Sequence, residues 1–287
     1  MSAIGLSKLA KMGACLAAFI LACPAARSQD SAIVNNLLGI QLYAVGGGLI
    51  PLGVQSNVTG VDQTAFQLLS GFGLGSIPFD IANQQGGSPT TTALLGGRVH
   101  VPFLWRMSDE RSLSFAVFFE TGLQTGFGAQ SFMQVFSNTS AFAGDNGTST
   151  IQEYYQIPLL LGASIPIGQR SNGAPSVLFD VYGGLTLDSW QQTLQGTESA
   201  FPGTQGFFGQ YRRFTADPTI GVGLRVPVSD LSSDLPFFFG VNAELQFRPG
   251  SVVTAQSQNL PITYYGTVDP HANLAIMARF GIAFGGR

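Results

Sequence analysis

The sequence predicts an all-β protein that forms an up-and-down antiparallel transmembrane β-barrel of eight strands. Three observations predict this fold. Eight segments alternate apolar and polar residues with a period of two, which is the period of a β-strand. The connections between these segments alternate between long and short. Charged residues make up only 10% of the 287 residues, which is low for a protein whose outer surface meets water.

The start of the chain has the three parts of a secretory signal peptide. Lys8 and Lys11 give a positively charged start, residues 12–22 are apolar, and residues 26–28 (ARS) fit a small-x-small cleavage site. The apolar part is too short to cross a membrane as a helix. We therefore expect residues 1–28 to be removed as a signal peptide during export.

Cleavage after residue 28 leaves a short periplasmic N-terminal segment, 29–38, followed by the barrel, 39–287. The mature chain then has no cysteine, so disulfides and thiol chemistry are excluded. A second processing route stays open, because residues 20–23 (ILAC) loosely resemble a bacterial lipoprotein box. That route would leave a lipidated Cys23.

The clearest strand lies within residues 236–250. Its odd-numbered positions from Phe239 to Phe247 are apolar, and its even-numbered positions include Glu244 and Arg248. Successive side chains of a strand point to opposite faces, so this segment has an apolar face and a polar face. In a barrel that crosses a membrane, the apolar face meets lipid and the polar face lines the lumen.

The same alternation predicts seven further strands. In one of them, Ile220, Val222 and Leu224 alternate with glycines. The seven segments are residues 39–50, 93–105, 112–127, 151–167, 176–190, 214–228 and 272–284. The first of these has the weakest alternation.

The connections fit a barrel with both termini in the periplasm, which has short periplasmic turns and long outer loops. The short turns are residues 106–111, 168–175 and 229–236. The four long loops are residues 51–92, 128–150, 191–213 and 249–271. One question stays open in the first loop, since residues 64–81 could form a loop, a plug or an extra hairpin that makes ten strands.

A soluble sandwich or lipocalin-like barrel would show the same period of two. Its outer face should carry many charged side chains, and the polar faces of this chain carry few. Aromatic residues also cluster near the predicted strand ends, as expected where a barrel crosses both membrane interfaces. They are Phe103, Trp105, Phe115, Phe239 and Phe284 on the turn side, and Phe127, Tyr155, Phe214 and Phe247 on the loop side.

With this pattern, the stretch YYQIPLLLGASIPIG (154–168) resembles small outer-membrane β-barrels of the porin-like, opacity-protein type. The last strand also resembles the assembly signal of that group, with apolar residues from Ile276 to a terminal aromatic, Phe284. It departs from that signal because residues 285–287 follow the aromatic. The resemblance implies a bacterial outer-membrane location, contact with outer-membrane lipid, and recognition of the C-terminal strand by the barrel assembly machinery.

The predicted lumen faces carry charges that should pair. An eight-stranded barrel is barely wider than its own side chains, and a buried charge is tolerated when it has a partner. Counting residues from the periplasmic turns puts Arg98 level with Glu120, Asp180 with Arg225, and Glu244 with Arg279. Asp188, Asp217 and Arg248 form an acid-rich tier nearer the outer mouth. The alternative of an open channel, in which each side chain meets only water, stays open.

Catalysis, cofactor binding and metal binding find little support in the sequence. Of the two histidines, His100 is expected in the lumen beside Arg98, and His271 follows an Asp-Pro pair at the outer mouth. Neither has a nucleophile placed beside it, and a His-x-Ser arrangement is absent at both. Two histidines without cysteine do not suggest a metal site. No basic patch suggests nucleic acid.

The sequence therefore predicts a non-enzymatic outer-membrane barrel with a structural or surface-interaction role and a lumen closed by charge pairs. Aromatic residues in the second and third loops favour contact with a host or surface ligand there. They are Phe132, Phe136, Phe142, Phe201, Phe207 and Phe208. The alternatives are a narrow porin for small solutes and a lipid-modifying enzyme at the outer mouth.

Overall fold

The structure is a computed structural model that describes residues 39–54, 56–62, 91–106, 115–135, 146–169, 175–198, 206–228, 237–259 and 262–284. The predicted signal peptide, the segment 29–38 and residues 64–81 lie outside these ranges. The described residues form twelve β-strands. They are β1 Ile40–Leu52, β2 Ser56–Asp62, β3 Thr92–Arg106, β4 Phe115–Phe127, β5 Ala129–Val135, β6 Asn146–Gln169, β7 Pro175–Thr197, β8 Phe207–Pro227, β9 Phe237–Arg248, β10 Ser251–Ser257, β11 Ile262–Val268 and β12 His271–Phe284.

Eight of these strands close into a ring in the order β1, β3, β4, β6, β7, β8, β9, β12, and every neighbouring pair is antiparallel. The first and last strands close it, with Ile40 opposite Phe284 and Leu52 opposite Ala272. Each ring strand overlaps one predicted segment, so the predicted eight-stranded up-and-down barrel is confirmed. Within the described ranges, no helix is long and apolar enough to cross a membrane.

The two faces of the ring are opposite in polarity to those of a soluble protein. On β9, Phe239 and Val241 are 49% and 46% exposed, whereas Glu244 and Arg248 on the alternate face are 0% and 2% exposed. The same alternation runs through β8 and β12. Apolar side chains therefore cover the outside, and charged side chains fill the lumen.

The ring has a turn end and a loop end. The first and last residues of the ring lie at the turn end, as do the strand ends that the three short connections join. The strand ends that the long connections join lie at the loop end. Most of the predicted belt residues are exposed at these ends. Phe103, Phe115, Phe239 and Phe284 are exposed near the turn end, and Phe127, Phe214 and Phe247 are exposed near the loop end.

The predicted long loops contain strands that the alternation did not reveal. β2, β5, β10 and β11 lie in the first, second and fourth loops, and β6, β7 and β8 continue past the ring. Together they extend the same sheet beyond the loop end, in the order β2, β11, β10, β8, β7, β6, β5. We call this part the cap sheet. The strands β2, β5, β10 and β11 are only seven residues each, so they lack the long apolar row that marks a membrane strand in the sequence.

Candidate functional site in the barrel lumen

Arg98 of β3 lies at the centre of the lumen and bonds two carboxylates. Its Nη1 donates to Glu120 Oε1 of β4 at 2.9 Å and to Glu244 Oε1 of β9 at 2.5 Å, and its Nη2 donates to Glu244 Oε2 at 2.9 Å. Gln124 Oε1 accepts a further hydrogen bond from Nη2 at 3.1 Å. The pair Arg98–Glu244 is bidentate, the geometry in which a guanidinium binds a carboxylate most strongly.

Asp180 of β7 lies between two arginines on the turn side of Arg98. Arg225 of β8 donates to both of its carboxylate oxygens at 2.7 Å, and Arg279 of β12 donates to Oδ2 at 2.7 Å. Arg225 also donates to Ser164 of β6 at 2.6 Å and to Gln41 of β1 at 2.5 Å. One carboxylate thus holds side chains from both sides of the ring.

These two groups join into one set, because Arg279 Nη1 lies 3.8 Å from Glu120 Oε2. We call this set the central network. It contains three arginines and three carboxylates, so its formal charge is balanced. Every strand of the ring contributes a buried member: Gln41, Arg98, Glu120, Ser164, Asp180, Arg225, Glu244 and Arg279.

The predicted pair of Glu244 and Arg279 is wrong. The register places Glu244 opposite Ala275 and Arg279 opposite Gly240, four residues nearer the turn end. Arg279 instead reaches across the space left by two glycines. A Cβ added at Gly223 would lie 2.3 Å from its Nη2, and one at Gly240 would lie 2.9 Å from its Nε. These glycines are the sequence signal that a long side chain crosses this part of the lumen.

A second group lies nearer the loop end, where Arg248 of β9 meets three carboxylates. It donates to Glu153 of β6 at 2.5 Å, to Asp188 of β7, and to Asp217 of β8 at 3.4 Å. We call these four residues the acidic cluster, because three carboxylates share one guanidinium. The structure places the predicted tier of Asp188, Asp217 and Arg248 together and adds Glu153.

Glu153 escaped the sequence analysis because β6 changes phase. A β-bulge shifts the register between Glu153 and Tyr155, so Glu153 faces the lumen although it lies an odd number of residues from the inward-facing Gln156. In an unbroken strand, Glu153 would face lipid. A charged carboxylate facing lipid is energetically unfavourable. An acidic residue at a lipid-facing position of the pattern was therefore the sequence signal for a bulge.

An apolar layer lies on the loop side of the acidic cluster. Trp190 lies with its ring centroid 5.2 Å from the Arg248 guanidinium carbon and packs with Ile151 and Val268. Beyond this layer, the cap sheet has its own core of Val58, Leu194, Phe207, Val253, Ala255, Ile262 and Tyr264. Phe207, predicted as an exposed loop aromatic, is instead buried and stacked on Tyr264 at 3.9 Å.

The two histidines occupy different sites. His100 lies in the lumen, with Nδ1 3.4 Å from Glu120 Oε2 and its ring 4.1 Å from that of Phe118. His271 begins β12 at the loop end, and its Nδ1 lies 2.9 Å from the carbonyl oxygen of Asp269. In the described part of the chain, no three His, Cys, Asp or Glu side chains are grouped to hold a metal ion.

Neither protein-family models nor curated proteins match the sequence. Solved structures do match. The attachment invasion locus protein Ail of Yersinia pestis, in complex with the heparin analogue sucrose octasulfate, is 10% identical over 84% of this chain and 98% of that chain, with a TM-score of 0.26. The transport unit of the autotransporter AIDA-I from Escherichia coli is 8% identical over 91% of each chain, with a TM-score of 0.31.

The translocator domain of the autotransporter NalP from Neisseria meningitidis is 14% identical over 97% of this chain and 98% of that chain, with a TM-score of 0.24. The fold class of this chain follows from its own ring. A closed antiparallel ring of eight strands, apolar outside and charged inside, is a β-barrel of the transmembrane type.

Proposed function

We propose that the protein is an outer-membrane barrel with a closed lumen, which serves a structural or surface-interaction role rather than solute passage or catalysis. One observation carries this proposal. The central network links side chains from all eight ring strands across the lumen. A barrel of this size is just wide enough for its side chains, so such a network leaves no room for a water-filled path.

The bonds of the network are of the strong kind. Hydrogen bonds between a guanidinium and a carboxylate are about twice as strong as neutral ones. A solute could pass only if these bonds broke and left buried charges without partners, which is costly in a dry interior. The apolar layer of Ile151, Trp190 and Val268 adds a second obstruction nearer the loop end.

The cap sheet supports the surface role. Phe208, Tyr211 and Val252 are 45%, 49% and 48% exposed there. Exposed aromatic and aliphatic side chains often mark a contact site. We therefore propose the cap sheet as the surface that meets a host or surface ligand. Outer-membrane lipid is the proposed partner of the ring, and the assembly machinery the proposed partner of β12.

The membrane location is tested by electrophoresis of the mature chain refolded in detergent. Heated and unheated samples should migrate differently, because a closed ring of hydrogen-bonded strands has no free edge from which to unravel. Fractionated cells should hold the protein in the outer membrane. Identical migration, together with recovery from the soluble periplasm, would overturn the membrane proposal.

The closed lumen is tested by single-channel recording of the refolded protein in a planar bilayer. We expect little conductance from the unmodified barrel and a measurable rise in Glu244→Ala or Glu120→Ala. Glu244→Ala removes the bidentate partner of Arg98 and the acceptor of Tyr182, so water should enter around an unpaired charge.

Glu198→Ala is the matched control, because Glu198 is an equally buried carboxylate that bonds Tyr264 and Asn259 in the cap sheet. Its conductance should stay at the level of the unmodified barrel. A large, steady conductance in the unmodified protein would instead support the alternative of a narrow porin.

A further inference from the structure

Arg212 of β8 differs from the lumen arginines because it faces outward. It follows the even-numbered phase of β8, whose members Phe214, Ile220, Val222 and Leu224 are exposed on the outer face. Arg212 itself is exposed. Its guanidinium carbon lies 4.4 Å from the centroid of the Tyr154 ring, and its Nη2 donates to Ser189 Oγ at 3.3 Å. The side chain is therefore held against the barrel wall.

Among the residues that the structure describes, no carboxylate balances the charge of Arg212. No carboxylate of the residues that the structure describes forms an ion pair with it, whereas Arg98, Arg225, Arg248 and Arg279 each bind at least one carboxylate. Ser189 accepts from one of the five N–H donors of the guanidinium, and Tyr154 contacts the face of the group rather than a donor. An oriented cation with free donors remains on the outer wall.

The height of Arg212 on the wall matches the edge of a bilayer. The exposed apolar row on β8 runs from Val226 up to Phe214, which is 60% exposed. At about 3.3 Å per residue and a tilt of about 40°, that row spans roughly 30 Å, close to the hydrocarbon thickness of a bilayer. Arg212 lies one outward position beyond Phe214, which puts its guanidinium at the level of the headgroups.

We propose that Arg212 binds the phosphate of an anionic lipid in the outer leaflet. This inference rests on the proposed membrane location. A guanidinium presents two parallel N–H donors that match a phosphate, and stacking on Tyr154 fixes their plane. A lipid fits the site better than a free phosphate, because the exposed Phe214 immediately below offers an apolar surface for the acyl chains.

The neighbouring Arg213 provides a matched control. It lies on the other face of β8, where its Nη1 donates to the carbonyl oxygen of Gly250 at 3.0 Å and its guanidinium carbon lies 5.1 Å from the Tyr211 ring centroid. Arg213→Gln removes the same charge one residue away but leaves the outer wall unchanged.

The test is native mass spectrometry of the refolded barrel in non-ionic detergent with added phosphatidylglycerol or phosphatidylcholine. We expect the unmodified barrel to retain phosphatidylglycerol preferentially. Arg212→Gln should retain about fivefold less, the factor expected for one cation near an anionic lipid surface. Arg212→Lys should fall between them, since it keeps the charge but loses the planar donors. Arg213→Gln should match the unmodified barrel.

Equal retention by the unmodified barrel and Arg212→Gln would overturn the inference, and so would an equal loss in Arg213→Gln. Displacement of phosphatidylglycerol by inorganic phosphate would assign the site to a free anion and overturn the lipid assignment. The heat-dependent shift in migration is recorded for each variant. If the shift is present and the unmodified barrel and Arg212→Gln retain equal lipid, only the lipid site is overturned. If the unmodified protein shows no shift, the membrane proposal itself is overturned.

Discussion

The central network and the acidic cluster lie in the same lumen but are built differently. The central network has three arginines and three carboxylates, and the acidic cluster has one arginine and three carboxylates. The members of both groups are 2% exposed or less. The two groups are equally buried, but the acidic cluster has fewer arginines per carboxylate. The stability of the acidic cluster should therefore depend more strongly on its arginine.

The central network is redundant. Asp180 bonds both Arg225 and Arg279, and Glu120 lies near both Arg98 and Arg279. Loss of Arg279 therefore leaves every carboxylate with another guanidinium. In the acidic cluster, Arg248 is the shared partner of all three acidic side chains, so its loss leaves three buried acidic groups without their cation.

Replacing Arg248 should give the largest effect. Arg248→Ala is expected to lower the free energy of unfolding by about 3–5 kcal/mol, the cost of leaving a buried charge without its partner. Arg279→Ala should cost clearly less, because of the redundancy of the central network. Urea unfolding of the refolded barrels, followed by tryptophan fluorescence and by heat-dependent migration, measures both.

The difference in stability loss between Arg248→Ala and Arg279→Ala decides whether charge balance matters. Equal losses in Arg248→Ala and Arg279→Ala would mean that charge balance does not govern the stability of the lumen. If Arg248→Ala does not refold, the Arg248→Lys variant keeps one cation and gives a measurable, smaller loss by the same readout.

The sequence predicts the ring of this barrel well and its lumen contacts less well. Period-two alternation marks all eight ring strands and the exposed face of each, because lipid demands an unbroken apolar row. The lumen has no such demand, so its contacts depend on register and on local irregularities. A bulge brings Glu153 into the lumen, and a four-residue offset separates Glu244 from Arg279.

Two other features lay beyond the pattern for physical reasons. The strands of the cap sheet pair at long range, with β2 joined to β11, and such pairing leaves little trace in local sequence. Pro158 lies deep in β6, a position that argues against a central strand. The pairing of β4 with β6 is interrupted between Thr121–Leu159 and Gln124–Gln156, so the missing N–H of the proline falls in that gap.

Adding an arginine, rather than removing one, also tests how the lumen tolerates charge. The expected loss of stability is the second largest. Val241→Arg puts a cation on the exposed face of β9 and should cost about 2–4 kcal/mol near the middle of the bilayer. Gln246→Arg puts a cation on the lumen face of the same strand, where Gln246 contacts Gln156, a partner of Asp188. There the excess of carboxylates should accept it at little cost.

The yield of folded barrel in lipid vesicles and the urea midpoint give the two values. Similar losses in Val241→Arg and Gln246→Arg would mean that the assignment of the two faces is wrong. If only Gln246→Arg loses yield and stability, the volume of the lumen, rather than its charge, limits which side chains it accepts.

The smallest effect is expected at the edge of the acidic cluster. Asp217 makes the longest of the three contacts with Arg248, at 3.4 Å, and its Oδ1 has no hydrogen-bond partner among the described residues. Asp217→Asn keeps the shape of the side chain and removes one of three like charges held close together. The lost attraction to Arg248 is offset by relief of the repulsion from Glu153 and Asp188, so stability should change by less than about 1 kcal/mol.

Asp180→Asn in the central network has no such compensation, because Asp180 holds two guanidinium groups, and its urea midpoint should fall well below that of Asp217→Asn. If the two variants lose the same stability, the excess of acid in the cluster is already neutralised, and the two groups are energetically alike despite their different composition.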